Sequence, residues 1–307
     1  MDNIESKIQY CNHELVLSHG FTTPGLARES YPLAKMIQEN GVNTILTQVP
    51  WARDRLFFHD DETFTEINRR DPRQERDCTN YAWHGGAYLI GDGFMIGDDN
   101  GIPSARKETQ RVLGVERAIY INILAGIREF GEIPVSGYSE YYASYSNHID
   151  PYYNLGNFKR TLFTWDTSLL VPIGTELAKE FGYELITLPM DEAKYAAIGF
   201  IELGDHMVVD CRAEQTMGIL EQIGYKILPT PVPLEEHNRR GGSLRCATTE
   251  MPPLKHKMKF HPFKEGHLED GPARHSRFSD IEGHFMIMSR AEFRRLREPL
   301  FSSSVYG

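Results

Sequence analysis

The chain has 307 residues, of which 40% are hydrophobic and 25% charged, so it holds enough apolar material for a folded core in one large or two ordinary domains. Its formal net charge of −10 argues against an electrostatic nucleic-acid binder, which needs a basic face, and suits a cationic ligand instead. No apolar run approaches the length that crosses a bilayer.

Along the chain one cadence recurs: a helix-like segment, a glycine, then a short β-rich run. It occurs at Asn40-Gly41-Val42 leading to Leu46, and at Leu113-Gly114-Val115 leading to Ile119. It returns at Phe181-Gly182-Tyr183 leading to Ile186, and at Ile223-Gly224-Tyr225 leading to Leu228. Glycine there fits the left-handed position that ends a helix, and the β-branched run fits the strand that follows. Three of these helices are preceded by a hairpin pattern. The first joins Tyr88–Ile90 to Phe94–Ile96 through Gly91-Asp92-Gly93, a strong turn signal. The second reads as Leu162–Thr164 turning at Trp165-Asp166-Thr167 into Ser168–Val171. The third reads as Ala197–Ile201 turning at Gly204-Asp205 into His206–Val209. The unit is therefore strand–strand–helix–strand, repeated about five times if the Cys246 region supplies the last, and repeats of this size suggest circular or solenoid packing. A plain α/β sheet also produces such alternation. Residues 60–77 are charged and read as a strand-poor loop. The tail from Lys255 shows no chemistry of its own, and Ser289 to Pro299 reads as a short surface helix.

Four places carry chemically capable groups at strand ends. They are Trp51-Ala52-Arg53-Asp54, Trp83-His84-Gly85-Gly86-Ala87, His148-Ile149-Asp150, and Arg240-Gly241-Gly242-Ser243-Leu244-Arg245-Cys246. A thiol attacks carbon only as thiolate, so a catalytic cysteine needs groups that favour ionisation and a partner that moves protons. A lone cysteine is more often a small buried hydrophobe. Asp54 and Asp150 also fit turn caps, and Arg53 reads as a surface residue. Cys11, Cys78, Cys211 and Cys246 are widely spaced and show no C-x-x-C, so a reducing, cytoplasmic setting is expected. The N-terminus lacks a signal-peptide layout. The twelve histidines show no metal-ligand spacing, so neither a metal nor a cofactor is expected.

Arg-Asp after a strand, Gly-Gly at a strand start, His-x-Asp and Gly-Gly-x-x-Arg-Cys, in that order, resemble the signature of the penteins. These guanidine-modifying enzymes include arginine deiminase, agmatine deiminase, dimethylarginine dimethylaminohydrolase and glycine amidinotransferase. The resemblance spans roughly residues 14–252, and the Cys246 segment looks most like arginine deiminase. It implies an α/β fold: a five-bladed, pseudo-symmetric αβ propeller of ββαβ repeats over residues 1–254, with 255–307 as a C-terminal extension. It also implies Cys246 as nucleophile, His148 as general acid/base, and Asp54 and Asp150 as the carboxylates gripping a guanidinium. His84 stands where most penteins carry Glu or Asp, and Ala87 replaces the acid that often follows the glycine pair. His84 is expected to touch substrate, as are Arg240 and Arg245, which would hold a substrate carboxylate. The expected function is hydrolysis of a small cationic guanidino compound through a covalent thiouronium. The alternatives are an amidinotransferase and a non-catalytic binding protein of the same fold. No nucleic-acid or membrane partner is expected, and the sequence leaves open a homo-oligomer.

Overall fold

Gly41, Gly182 and Gly224 all adopt left-handed backbone, with φ of 90°, 68° and 93°. Each ends its helix where the cadence places it, because an L side chain there would crowd the following carbonyl. The computed structural model describes residues 14–18, 24–47, 52–58, 64–66, 86, 88–98, 115–121, 148–240, 242–251 and 286–288. Gly114, His84 and the Ser289–Pro299 segment lie outside the described residues.

In the first unit, β1 (Glu14–Ser18) runs through α1 (Pro24–Glu39) to β2 (Asn43–Thr47), which pairs parallel with β1. Next come α2 (Ala52–Arg55) and an antiparallel pair, β3 (Leu56–Phe58) and β4 (Phe64–Glu66). The second unit pairs β5 (Tyr88–Ile90) antiparallel with β6 (Phe94–Asp98), and β7 (Arg117–Ile121) parallel with β6. The third pairs β8 (Tyr153–Gly156) antiparallel with β9 (Thr161–Trp165), then crosses through α3 (Leu170–Phe181) to β10 (Glu184–Leu188), parallel to β9. Two 3-10 turns, Met190–Tyr195 and Ala197–Gly199, lead to the fourth unit. There β11 (Ile201–Leu203) pairs antiparallel with β12 (His206–Val209), and α4 (Glu214–Gln222) returns the chain to β13 (Lys226–Pro229), parallel to β12. The short helices α5 (Glu235–Arg239) and α6 (Leu244–Ala247) precede β14 (Thr248–Met251). Parallel neighbours need such a crossover, and a helix supplies it.

Three expectations need correction. The second hairpin lies one strand upstream: β9 pairs with β8, and Ser168–Val171 leads into α3. The Thr167 hydroxyl accepts the Leu170 N–H at 3.1 Å, and a proline at the third position of α3 is tolerated in a helix's first turn. In the third hairpin, Ala197–Gly199 forms a 3-10 turn, and only Ile201–Leu203 pairs with His206–Val209. Phe64–Glu66, inside the presumed strand-poor loop, pairs with Leu56–Phe58. The strand after Cys246 does supply a module, because β14 pairs antiparallel with β1 and, with α1 and β2, makes the first unit strand–strand–helix–strand. On the other side of that sheet, β15 (Met286–Met288) from the tail pairs parallel with β2. Among the described residues the strands thus fall into five sheets.

One buried cluster runs through three units, with Leu89, Phe94 and Ile96 meeting Tyr153, Phe163 and Trp165, and these meeting Met207 and Val209. Phe94 stacks on Phe181 at 3.8 Å between ring centres. Each such side chain contributes about 1.5–3 kcal/mol on burial. In a second cluster Ala27, Tyr31, Ala34 and Ile37, one face of α1, pack with Ile201, Val208, Leu234 and Leu244. That cluster brings α1 beside the turn carrying Cys246. No helix among the described residues is long and apolar enough to cross a membrane.

Candidate active site

Cys246 lies in the one-turn helix α6, capped by Ser243, whose Oγ accepts the Cys246 N–H at 3.3 Å. The same Oγ lies 3.4 Å from Cys246 Sγ. Gly242 donates its N–H to the His237 carbonyl at 3.0 Å, tying the glycine pair back to α5. Upstream of that tie, Glu29 of α1 accepts the Glu236 N–H at 2.6 Å and meets His237 Nδ1 at 2.6 Å. Arg53, read from sequence as a surface residue, is half-buried and donates from Nε to the Arg245 carbonyl at 2.9 Å. Cys246 is thereby fixed from α1, α2 and α5.

The imidazole and the buried acid come from the turn that enters β8. Ile149 and Asp150 donate their N–H groups to the Gly86 carbonyl at 2.8 and 3.2 Å. A Cβ on Gly86 would stand 2.5 Å from His148 Nδ1, so glycine is what lets the ring come this close to that backbone. Trp165, fully buried, donates its indole N–H to the Pro151 carbonyl at 2.8 Å and closes the turn from below.

Asp150 joins the two arms. Cys246 Sγ lies 3.6 Å from its Oδ2, and His148 Nδ1 lies 3.7 Å from its Oδ1. Asp150 is 2% exposed and Cys246 4%, whereas the His148 side chain is 15% exposed. Thiol, carboxylate and imidazole, drawn from positions about a hundred residues apart, share one locus. Beside them a cavity of ≈ 10 Å³, bounded by Asp150, Trp165, Ala196, Gly199 and Ser243, has the room of about one water molecule.

The remaining expected residues sit as follows. Asp54 lies in α2 next to Arg53, with its side chain outside the described residues, as is the whole of His84. Arg245 turns from the cysteine and donates from Nη1 to Asn154 Oδ1 at 2.9 Å. Arg240 donates to Glu236 Oε1 at 2.7 Å. Hydrogen bonds from Arg239 and then Arg240 hold the Glu236 carboxyl down from 4.5 to about 2. Neither arginine contacts Asp150 or Cys246 in a described interaction. Sequence reasoning missed Ser243, Gly86 as the seat of His148, and Asn154. Only Ser243 left a trace, as the capping residue three positions before the cysteine.

No protein-family model and no curated protein sequence matches the chain. Solved structures do. A dimethylarginine dimethylaminohydrolase adduct with 4-chloro-2-hydroxymethylpyridine aligns with TM-score 0.52 at 10% identity, over 78% of this chain and 100% of that one. A candidate arginine deiminase from Porphyromonas gingivalis aligns with TM-score 0.51 at 14% identity, over 78% and 96%. The C. jejuni agmatine deiminase with substrate bound aligns with TM-score 0.50 at 14% identity, over 78% and 93%. The chain has the α/β fold of the penteins. At such identities the likeness concerns the fold, and the chemistry has to be argued from the residues themselves.

Proposed function

We propose that this pentein-fold protein is a hydrolase that cleaves a C–N bond of a small guanidino compound, within a five-bladed αβ propeller of ββαβ units. The observation that carries the reading is the Asp150 carboxylate, buried between the Cys246 thiol and the His148 imidazole. A guanidinium is planar and always charged, so its burial calls for facing carboxylates that accept forked hydrogen bonds. Asp150 supplies one such group, and Asp54, on the helix whose Arg53 holds the cysteine turn, supplies the second. A bound cation also offsets the repulsion between a thiolate and Asp150, so the nucleophile ionises best once substrate has arrived.

In this mechanism the Cys246 thiolate attacks the central guanidino carbon and forms an S–C bond, giving a tetrahedral adduct. Breaking a C–N bond releases an amine that takes its proton from His148, and leaves an S-linked thiouronium. His148, now neutral, removes a proton from water as the oxygen attacks the same carbon. Collapse expels the thiolate, and the net reaction converts guanidinium and water into a ureido product and an ammonium. Arg240 and Arg245 are engaged with Glu236 and Asn154, so this reading assigns the substrate's far end to neither.

The test is to incubate the purified protein with arginine, agmatine and guanidino acids and to measure ammonia and ureido product. Turnover is expected, with Cys246→Ala reducing it by at least about 1,000-fold. Undiminished turnover in C246A removes the mechanism. Turnover only with an added acceptor amine assigns an amidinotransferase instead, and ligand stabilisation without turnover assigns a binding protein.

A further inference from the structure

Two side chains approach the sulfur of Cys246 with opposite effects on its ionisation. Asp150 Oδ2, at 3.6 Å, accepts the S–H of a neutral thiol and repels a thiolate. The Ser243 hydroxyl, at 3.4 Å, donates its O–H to the sulfur, and that bond strengthens once the sulfur is charged. The other face of the hydroxyl is already committed, since Oγ accepts the Cys246 N–H at 3.3 Å. With one lone pair taken by the backbone N–H, the hydroxyl can turn its hydrogen to the sulfur. Ser243 is 6% exposed, so bulk solvent competes little for that donor.

Its position is also built from behind. A Cβ on Gly199, in the 3-10 turn before β11, would run into both Cβ and Oγ of Ser243. Bare backbone at Gly199 is therefore what leaves room for the serine against the thiol. An N-cap alone explains the bond to the Cys246 N–H, but not a hydroxyl wedged between a glycine and the sulfur.

We propose that Ser243 is a catalytic residue: its hydroxyl donates to Cys246 Sγ and holds the sulfur as thiolate for attack. The thiol proton leaves to solvent, and no other bond is made or broken in this step. The inference rests on the reading of Cys246 as nucleophile, but its readout needs no substrate.

The full chain is alkylated with iodoacetamide across the pH range of thiol ionisation, and Cys246 modification is followed by peptide mass spectrometry. Ser243→Ala is expected to raise the midpoint by about one pH unit, slowing modification near neutrality about ten-fold. Ser243→Gly, a substitution that helix caps tolerate well, is expected to do the same and serves if S243A does not fold. An unshifted midpoint in a folded variant overturns the proposal. A shifted midpoint without turnover on any guanidino compound leaves Ser243 in this role and removes the activity. Turnover with an unshifted midpoint does the reverse.

Discussion

Backbone contacts hold the His148–Asp150 turn, whereas side chains from other elements hold the Cys246 turn, although the two carry partner groups of one site. In the first, Gly86 supplies both the carbonyl that accepts two N–H groups and the bare surface under the imidazole. In the second, Arg53, Glu29 and Asn154 reach in from α2, α1 and β8, and Ser243 caps the turn itself. The imidazole arm should therefore suffer from added atoms and the thiol arm from lost polar partners. Close-packed contacts resist volume, while buried polar groups resist losing their mates.

The largest stability effect is expected from the thiol arm. Asn154, 1% exposed, donates to the Ile198 and Phe200 carbonyls and accepts from Leu155 N and Arg245 Nη1. Asn154→Ala leaves these groups without that partner and should cost about 3 kcal/mol or more in urea unfolding. A loss below about 1 kcal/mol would mean that water replaces the amide and that the arm is not held this way.

On the imidazole arm, Gly86→Ala should leave the protein folded but push His148 aside, lowering turnover about 100-fold on whichever guanidino substrate is found. Turnover within a few-fold of the parent would show that the ring yields freely, and the contrast between the arms would fail.

A smaller effect concerns the outer end of the thiol arm. Because its arginine partners hold Glu236 down from 4.5 to about 2, the folded state binds fewer protons than the unfolded state in that window. Stability from this group is thus fully present above about pH 4.5 and is lost as the pH falls toward 2. Chemical denaturation of Glu236→Gln against the parent should show a difference under about 1 kcal/mol at neutral pH that closes across the window, since the arginine side is exposed and screened by salt. A gap that persists at the acid end would assign the effect to packing.

The smallest effect falls on Ala196, which lines the cavity between the arms and holds φ at 50°. Ala196→Gly relieves left-handed strain but loosens the unfolded chain, so thermal unfolding should move by less than about 1 kcal/mol, toward stability. Clear destabilisation would show that the Ala196 methyl is needed for packing around the cavity.

Much of the fold was legible in the sequence because its signals are local. Gly41, Gly182 and Gly224 announce helix ends through a backbone conformation that few other residues tolerate, and Gly91-Asp92-Gly93 announces the β5–β6 hairpin. The β8–β9 hairpin was misplaced because Leu169-Leu170-Val171 is as apolar in the first turn of a buried helix as in a strand, and periodicity over so few residues does not separate the two. Of the candidate site, Cys246, His148 and Asp150 were grouped through the resemblance, but the contacts that hold them together were not readable.

By itself the sequence determined the repeating strand–strand–helix–strand cadence, the helix ends and which residue types were on hand for chemistry, since each depends on neighbours a few positions away. Tertiary structure alone decided that β14 joins β1, that Arg245 serves Asn154, that Gly86 seats the imidazole and that Ser243 touches the sulfur. Those contacts depend on how separately formed units pack; Arg53 and Arg245, for example, meet across 192 positions of chain. Even the Ser243–Cys246 contact, only three residues apart, needs Gly199 from another segment to leave the serine its place.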